Sequence, residues 1–163
     1  TRVLRYRLIG FENRDVADRD FRNDKVDAGE IGGGHEVTAL YEVKLAKGIV
    51  AGPIATVRLR YALPERDGAG APRVREIARR FDAASLHRSF ETAPPRFRLD
   101  AAVAEFAEIL RGSYWAKDGR LADVLAVARS AAAALADAPS AEFVRLVERA
   151  AALKPATKAG DGE

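Results

Sequence analysis

The sequence predicts an α+β fold: an antiparallel β-sheet or small β-sandwich in the N-terminal part, packed with a C-terminal bundle of about three helices. Two observations carry the prediction. Apolar residues recur with period two in the first part of the chain and with helical spacing after Pro94–Pro95. No strand–helix–strand alternation occurs, which removes the doubly wound nucleotide-binding folds. The expected organisation is a single domain over 1–153, β-rich over 1–92 and helical over 97–153, with 154–163 as a disordered tail.

Each element has its own signal. In "RVLRYRLIGF", Leu4, Tyr6 and Leu8 oppose Arg5 and Arg7, and the slip at Ile9 and Gly10 predicts a bulge near Gly10. In "HEVTALYEVKL", Val37, Ala39, Tyr41, Val43 and Leu45 alternate with Glu36, Thr38, Leu40, Glu42 and Lys44, a half-buried strand. "IATVRLRYAL" repeats the pattern, with Val57, Leu59, Tyr61 and Leu63 on one face and Thr56, Arg58 and Arg60 on the other. Between these two strands, Gly48, Gly52 and Pro53 suit a hairpin connection. "VREIARRF" and "SLHRSF" read as two further short strands, the first also compatible with a helical turn.

The helices follow. Leu99, Ala102, Val103, Phe106, Ile109 and Leu110 mark the first, and Gly112 stops it. Leu121, Val124, Leu125, Ala128 and Leu135 mark the second. Ser140 is expected to cap the third, whose apolar stripe is Phe143, Val144, Val147 and Ala151. Glu105 and Glu108 fall on the polar side of the first helix, and "SYW" (Tyr114, Trp115) reads as an aromatic plug packing helices onto the sheet.

Composition excludes several functions. At 163 residues, with 48% apolar and 31% charged residues, the chain can bury a core without disulfides or metals. No apolar run approaches the roughly 20 residues that span a bilayer. Zero cysteines exclude thiol catalysis, iron–sulfur clusters and cysteine-ligated zinc. The net charge of +3 lies mostly in the first ninety residues and is too diffuse for a dedicated nucleic-acid face. The chain opens on Thr and holds no Met, as an excised domain or processed product would, so an export signal could lie upstream.

The candidate sites each meet a simpler explanation. "DAGEIGGGHEV" holds Gly32, Gly33, Gly34 and His35, but Glu30 and Glu36 flank the glycines, no Lys follows and a strand comes next. A phosphate cradle needs the Lys and a helix N-terminus, so a glycine turn is the better reading. His35 lacks the further ligands that a metal needs, because His87 lies in another segment. Asp15, Asp18, Asp20 and Asp24 invite calcium, yet Arg22 and Asn23 break the loop pattern and Arg14, Arg19 and Arg22 pair with or repel in its place. Ser85, Ser89, Ser113, Ser130 and Ser140 sit in no nucleophile elbow, and His87 near Ser89 is proximity without triad geometry. No catalytic, cofactor-binding or metal residue is therefore assigned. Arg5, Arg7, Arg58 and Arg60 are the candidate partner-binding residues: if their strands are neighbours, four guanidiniums form a comb on one sheet surface. Ordinary cross-strand pairing with Glu and Asp is the competing reading.

The stretches "YRLIGFENR", "DFRNDKVDAGEIGGGHEVTALYEV", "VRLRY" and "AAVAEFAEILRGS" resemble the C-terminal domain, of uncharacterised function, that follows the von Willebrand factor type A domain in bacterial proteins. The resemblance implies an upstream type A domain with a D-x-S-x-S metal site, and no such motif occurs in this chain. It supplies no catalytic residue. It implies an accessory, protein-interaction role beside the type A domain or with an envelope partner, at the cell envelope or periplasm, with the cytoplasm as the alternative. The competing functions are a hydrolase using His87 or His35 with carboxylates, and weak nucleic-acid or anion binding through the arginine face. No cofactor and no nucleic-acid partner are expected, and the oligomeric state is not legible.

Overall fold

The computed structural model describes residues 2–10, 16–26, 29–66, 68–87 and 89–153, and these divide into two compact units, Thr1–Leu86 and His87–Glu163. The fold is α+β: two small antiparallel sheets in the first unit and three helices in the second. The expected tail, 154–163, lies outside the described residues.

The first unit holds β1 (Val3–Leu8), β2 (Tyr41–Leu45), β3 (Pro53–Arg66) and β4 (Pro72–Asp82). β1 pairs with β2, placing Tyr6 opposite Val43 and Leu8 opposite Tyr41, and β3 pairs with β4. Three expectations change here. The Gly48–Pro53 stretch does not close a hairpin, because the strands it joins belong to different sheets. The register irregularity of β1 falls between Val3 and Arg5, while Gly10 takes φ +100°, the left-handed backbone that only glycine adopts without strain. The second strand begins at Tyr41, with Leu40 O still accepting from Ile9 N at 2.8 Å, so residues 36–39 alternate in sequence without entering a ladder, and Val37 is exposed. Alternation alone cannot form a strand where no neighbour supplies backbone partners.

"VREIARRF" is strand, inside β4. "SLHRSF" is not. Its ends fall in two short 3₁₀ turns, Ala83–Ser85 and Phe90–Thr92. The first turn is set by Asp82, whose Oδ1 accepts from both Ala84 N and Gly52 N at 2.9 Å. That one carboxylate ends β4 and fixes the start of β3.

The second unit is α1 (Pro95–Leu110), α2 (Leu121–Leu135) and α3 (Ala138–Leu153). Pro95 is tolerated because the first-turn N–H groups have no helical acceptor. Gly112, at φ +67°, lets Gly112 N and Ser113 N return to the carbonyls of Ile109 and Glu108 and close α1. α3 starts two residues before Ser140, and Asp137 is its cap: Asp137 Oδ1 accepts from Ser140 N at 2.8 Å.

The core sits in this unit. Leu121, Val124, Ala128 and Ala131 make the buried stripe of α2, facing Ala102, Phe106 and Ile109 of α1 and Val147 of α3. Ala128 and Ala131 have no exposed surface, so small side chains are what let the helices approach. Phe106 meets Phe143 edge to face, with centroids 5.7 Å apart. In the first unit, by contrast, Ala83 is the one buried apolar residue among those described.

Candidate functional site

The long β3–β4 ribbon has two chemically distinct faces. Residues directly opposite in an antiparallel pair share a face. The pairs Ala55–Phe81, Val57–Arg79, Leu59–Ile77 and Tyr61–Arg75 therefore make one face, and Thr56–Arg80, Arg58–Ala78, Arg60–Glu76 and Ala62–Val74 make the other.

The second face is covered by charge. Arg22 reaches from the loop after the Asp18–Asp20 turn and grips Glu76 with two bonds, Nε to Oε2 and Nη2 to Oε1, each 2.9 Å. Arg60 Nη1 donates to Asp24 Oδ1 at 2.5 Å, and Arg58 Nε stands 4.0 Å from Glu76. The bond from Arg22, ahead of the nearby positive charges, holds the Glu76 carboxyl below its usual range, and the bond from Arg60 does the same for Asp24.

The first face is apolar and open. Val57, Leu59, Ile77 and Phe81 are each about 50% exposed, and Tyr61 is 38% exposed. Along β4 this face reads Arg75, Ile77, Arg79, Phe81. Neither the Arg75 nor the Arg79 guanidinium has a carboxylate or other hydrogen-bond acceptor among the described residues. Apolar side chains left in water over such a length, beside unpaired guanidiniums, are the feature of this chain that most needs a second surface.

The arginines singled out from the sequence are placed differently. Arg5 and Arg7 lie on β1, where Glu42 of β2 takes Arg7 Nε at 2.8 Å and lies 3.9 Å from Arg5. β1 and β3 are in separate sheets, so the neighbouring strands that a four-guanidinium comb requires are not present, and all four arginines have carboxylate partners. The sequence reading missed Arg75 and Arg79. Their signal was available in the R-x-I-x-R-x-F alternation, but the lack of a covering layer was not.

The remaining candidates resolve locally. His35 N donates to Gly32 O at 3.1 Å, closing a turn with Gly34 at φ +80°, and the imidazole folds onto Gly32 where a Cβ would lie 3.1 Å from Nδ1. Neither His35 nor His87 bonds a carboxylate among the described residues. No group of three or more His, Cys, Asp or Glu there could hold a metal ion. Asp20 is occupied by Arg19 and Asn23, and Asp15 lies outside the described residues.

Two readings on the helices are corrected. Glu108 is buried, not solvated; the Arg111 guanidinium lies against its Oε1 without hydrogen-bond geometry, so both oxygens lack a donor. Tyr114 and Trp115 are exposed rather than a plug; they meet each other edge to face at 5.5 Å, with Lys117 Nζ 5.4 Å from the Tyr114 ring.

Comparison with known proteins now bears on these features. The chain matches the family described as "Uncharacterized protein YfbK, C-terminal" over residues 1–51 and 50–153. It belongs to that family. The two matched stretches meet between β2 and β3, so the second takes in the whole β3–β4 ribbon together with the three helices. A relative, "Uncharacterized protein YfbK" of Escherichia coli (strain K12), is 31% identical over 162 residues, covering 91% of this chain and 27% of that protein. The chain thus corresponds to about a quarter of its curated relative's length. No solved structure matches it. No helix among the described residues is long and apolar enough to cross a membrane.

Proposed function

We propose that this chain is a non-catalytic accessory domain that works by protein contact, offering the apolar face of β3–β4 to a polypeptide partner. The observation that carries the reading is the half-exposed row Val57, Leu59, Ile77 and Phe81 on one face of a two-stranded ribbon. A two-stranded sheet is marginal in water, and it gains stability by laying its apolar face against another element. Covering each half-exposed aliphatic or aromatic side chain is favourable by on the order of 1 kcal/mol. The helical unit has its own core, so it can hold fold while the ribbon serves contact.

The resemblance to the domain following type A modules supports an upstream type A domain or an envelope protein as the partner, and the cell envelope as the location. The hydrolase reading has no comparable support, since it needs His35 or His87 gathered with two carboxylates.

The test is a photo-crosslinking residue at Leu59, compared with the same residue at Arg129 on α2, in the longer protein within its own cells. Adducts to polypeptide at Leu59 that vanish with Ile77→Asp are expected. Equal yields at the two positions would sink the reading.

A further inference from the structure

Building on that reading, we infer that the outer edge and apolar face of β4 accept an added β-strand in which acidic and apolar residues alternate. The edge comes first. In a two-stranded sheet each strand has one side without a ladder partner among the described residues. β3 carries Pro64 within it, and proline cannot donate to a ladder. β4 has its only proline at its first residue, so from Arg73 to Asp82 every residue whose backbone points away from β3 keeps its N–H donor. β4 is therefore the edge open to strand addition.

The side chains specify what is added. On the apolar face β4 presents Arg75, Ile77, Arg79 and Phe81 in succession, the arginines without partners and Ile77 and Phe81 about half exposed. A strand laid beside it places one residue opposite each of these. Opposite-charge and apolar cross-strand pairs are favourable, and like charges directly opposite are not. The complement is thus Glu or Asp facing Arg75 and Arg79, with aliphatic residues facing Ile77 and Phe81.

A second copy of this chain is a poorer occupant by the same rule, because the apolar face of β4 carries no carboxylate to set opposite Arg75 or Arg79 in any antiparallel register. Antiparallel pairing of β4 with itself about Ile77 sets Arg75 of one copy opposite Arg79 of the other, two repulsive contacts on the same face. The existing ribbon shows the favourable rule at work on its other face, where Arg60 lies opposite Glu76.

The experiment titrates labelled strand-length synthetic peptides into the 163-residue chain at low salt and reads fluorescence anisotropy. One peptide alternates Glu and Val on one face with Thr on the other; the second has Lys for Glu; the third is a scramble of the first. Binding of the Glu–Val peptide above both others is expected. In Arg75→Glu with Arg79→Glu, two attractive pairs become repulsive, so affinity for that peptide falls about tenfold or more while the Lys–Val peptide gains. An unfolded variant would bind neither, so the reversal separates recognition from damage.

Equal binding of all three peptides overturns the proposal, as does a Glu–Val preference that survives the charge reversal. Concentration-dependent dimers in sedimentation without peptide overturn it in favour of self-association, and tighter binding of a single-stranded oligonucleotide overturns it in favour of nucleic acid. Crosslinks at Leu59 without peptide preference remove the acidic strand and leave the contact role standing; loss of both removes both.

Discussion

Arg22 holds Glu76 with two parallel bonds of 2.9 Å, tying the loop after the Asp18–Asp20 turn to β4 across 54 residues of sequence. Within that loop Val26 N returns to Asn23 O and Asn23 N to Asp20 O, so the loop is ordered locally and anchored at a distance. Arg22→Ala should speed hydrogen exchange at Val26 while leaving the helical amides unchanged. Because hydrogen bonding by Arg22 lowers the Glu76 carboxyl from its ordinary value, the anchor is complete above the ordinary carboxylate range and is lost as pH falls through the lowered value. Exchange at Val26 unaltered by the substitution would show that the anchor carries no order.

Asp137 gives the helical unit an acid limit. Ser140, through its hydroxyl and its N–H, and then Arg96 bring this carboxyl down to about 2 from 3.8. Of these contacts, Ser140 N at 2.8 Å and Arg96 Nη2 at 2.7 Å have full hydrogen-bond geometry, whereas the buried Ser140 Oγ does not, so the cap rests on the first two. A depressed folded value means the contribution is whole above the unfolded value of 3.8 and lost as pH drops toward 2. Asp137→Asn should flatten the pH dependence of helical unfolding between those limits, measured by circular dichroism. A slope equal to that of the parent chain would refute the cap's role.

How far the sequence revealed this molecule depends on what each signal measures. Helical periodicity reports burial against neighbouring helices, and it located all three helices because α1, α2 and α3 bury one another. Strand alternation reports only a two-sided surface. It found β3 but could not say that β1 pairs β2, or that Val37 would remain outside any ladder. Pairing is decided by contacts distant in sequence. The arginines chosen from the sequence, Arg5, Arg7, Arg58 and Arg60, are those with carboxylates opposite or nearby. The unpaired ones on the apolar face, Arg75 and Arg79, could be recognised only once the register was known.

Ala136 ends α2 in the left-handed region, at φ 52°, with its N–H on Ala132 O at 2.8 Å. It is the non-glycine residue with positive φ among those described. A Cβ there costs about 1–2 kcal/mol, partly offset by the extra freedom that glycine gives the unfolded chain. Ala136→Gly should therefore stabilise the helical unit by about 0.5–1 kcal/mol in urea unfolding, with the slope unchanged. Destabilisation would mean that the turn tolerates the Cβ without strain.

The division between core and contact face makes a paired prediction. Val147 has no exposed surface and packs in the same cluster as Phe106 and Val124. Val147→Ala removes buried methyl groups and leaves a cavity, and should cost about 2–3 kcal/mol. Leu59 is 51% exposed on the apolar face of β3, so Leu59→Ser should change the isolated chain's stability by only about 0.5 kcal/mol. In the presence of a bound partner the order reverses in its consequence: Leu59→Ser weakens binding, while Val147→Ala, once folded, leaves affinity alone. Urea unfolding of both variants, with and without the partner captured by the Leu59 crosslink, measures the difference. A large loss of intrinsic stability from Leu59→Ser would show that the apolar face of β3 already serves the chain's own fold, and would remove the reason for assigning it to contact.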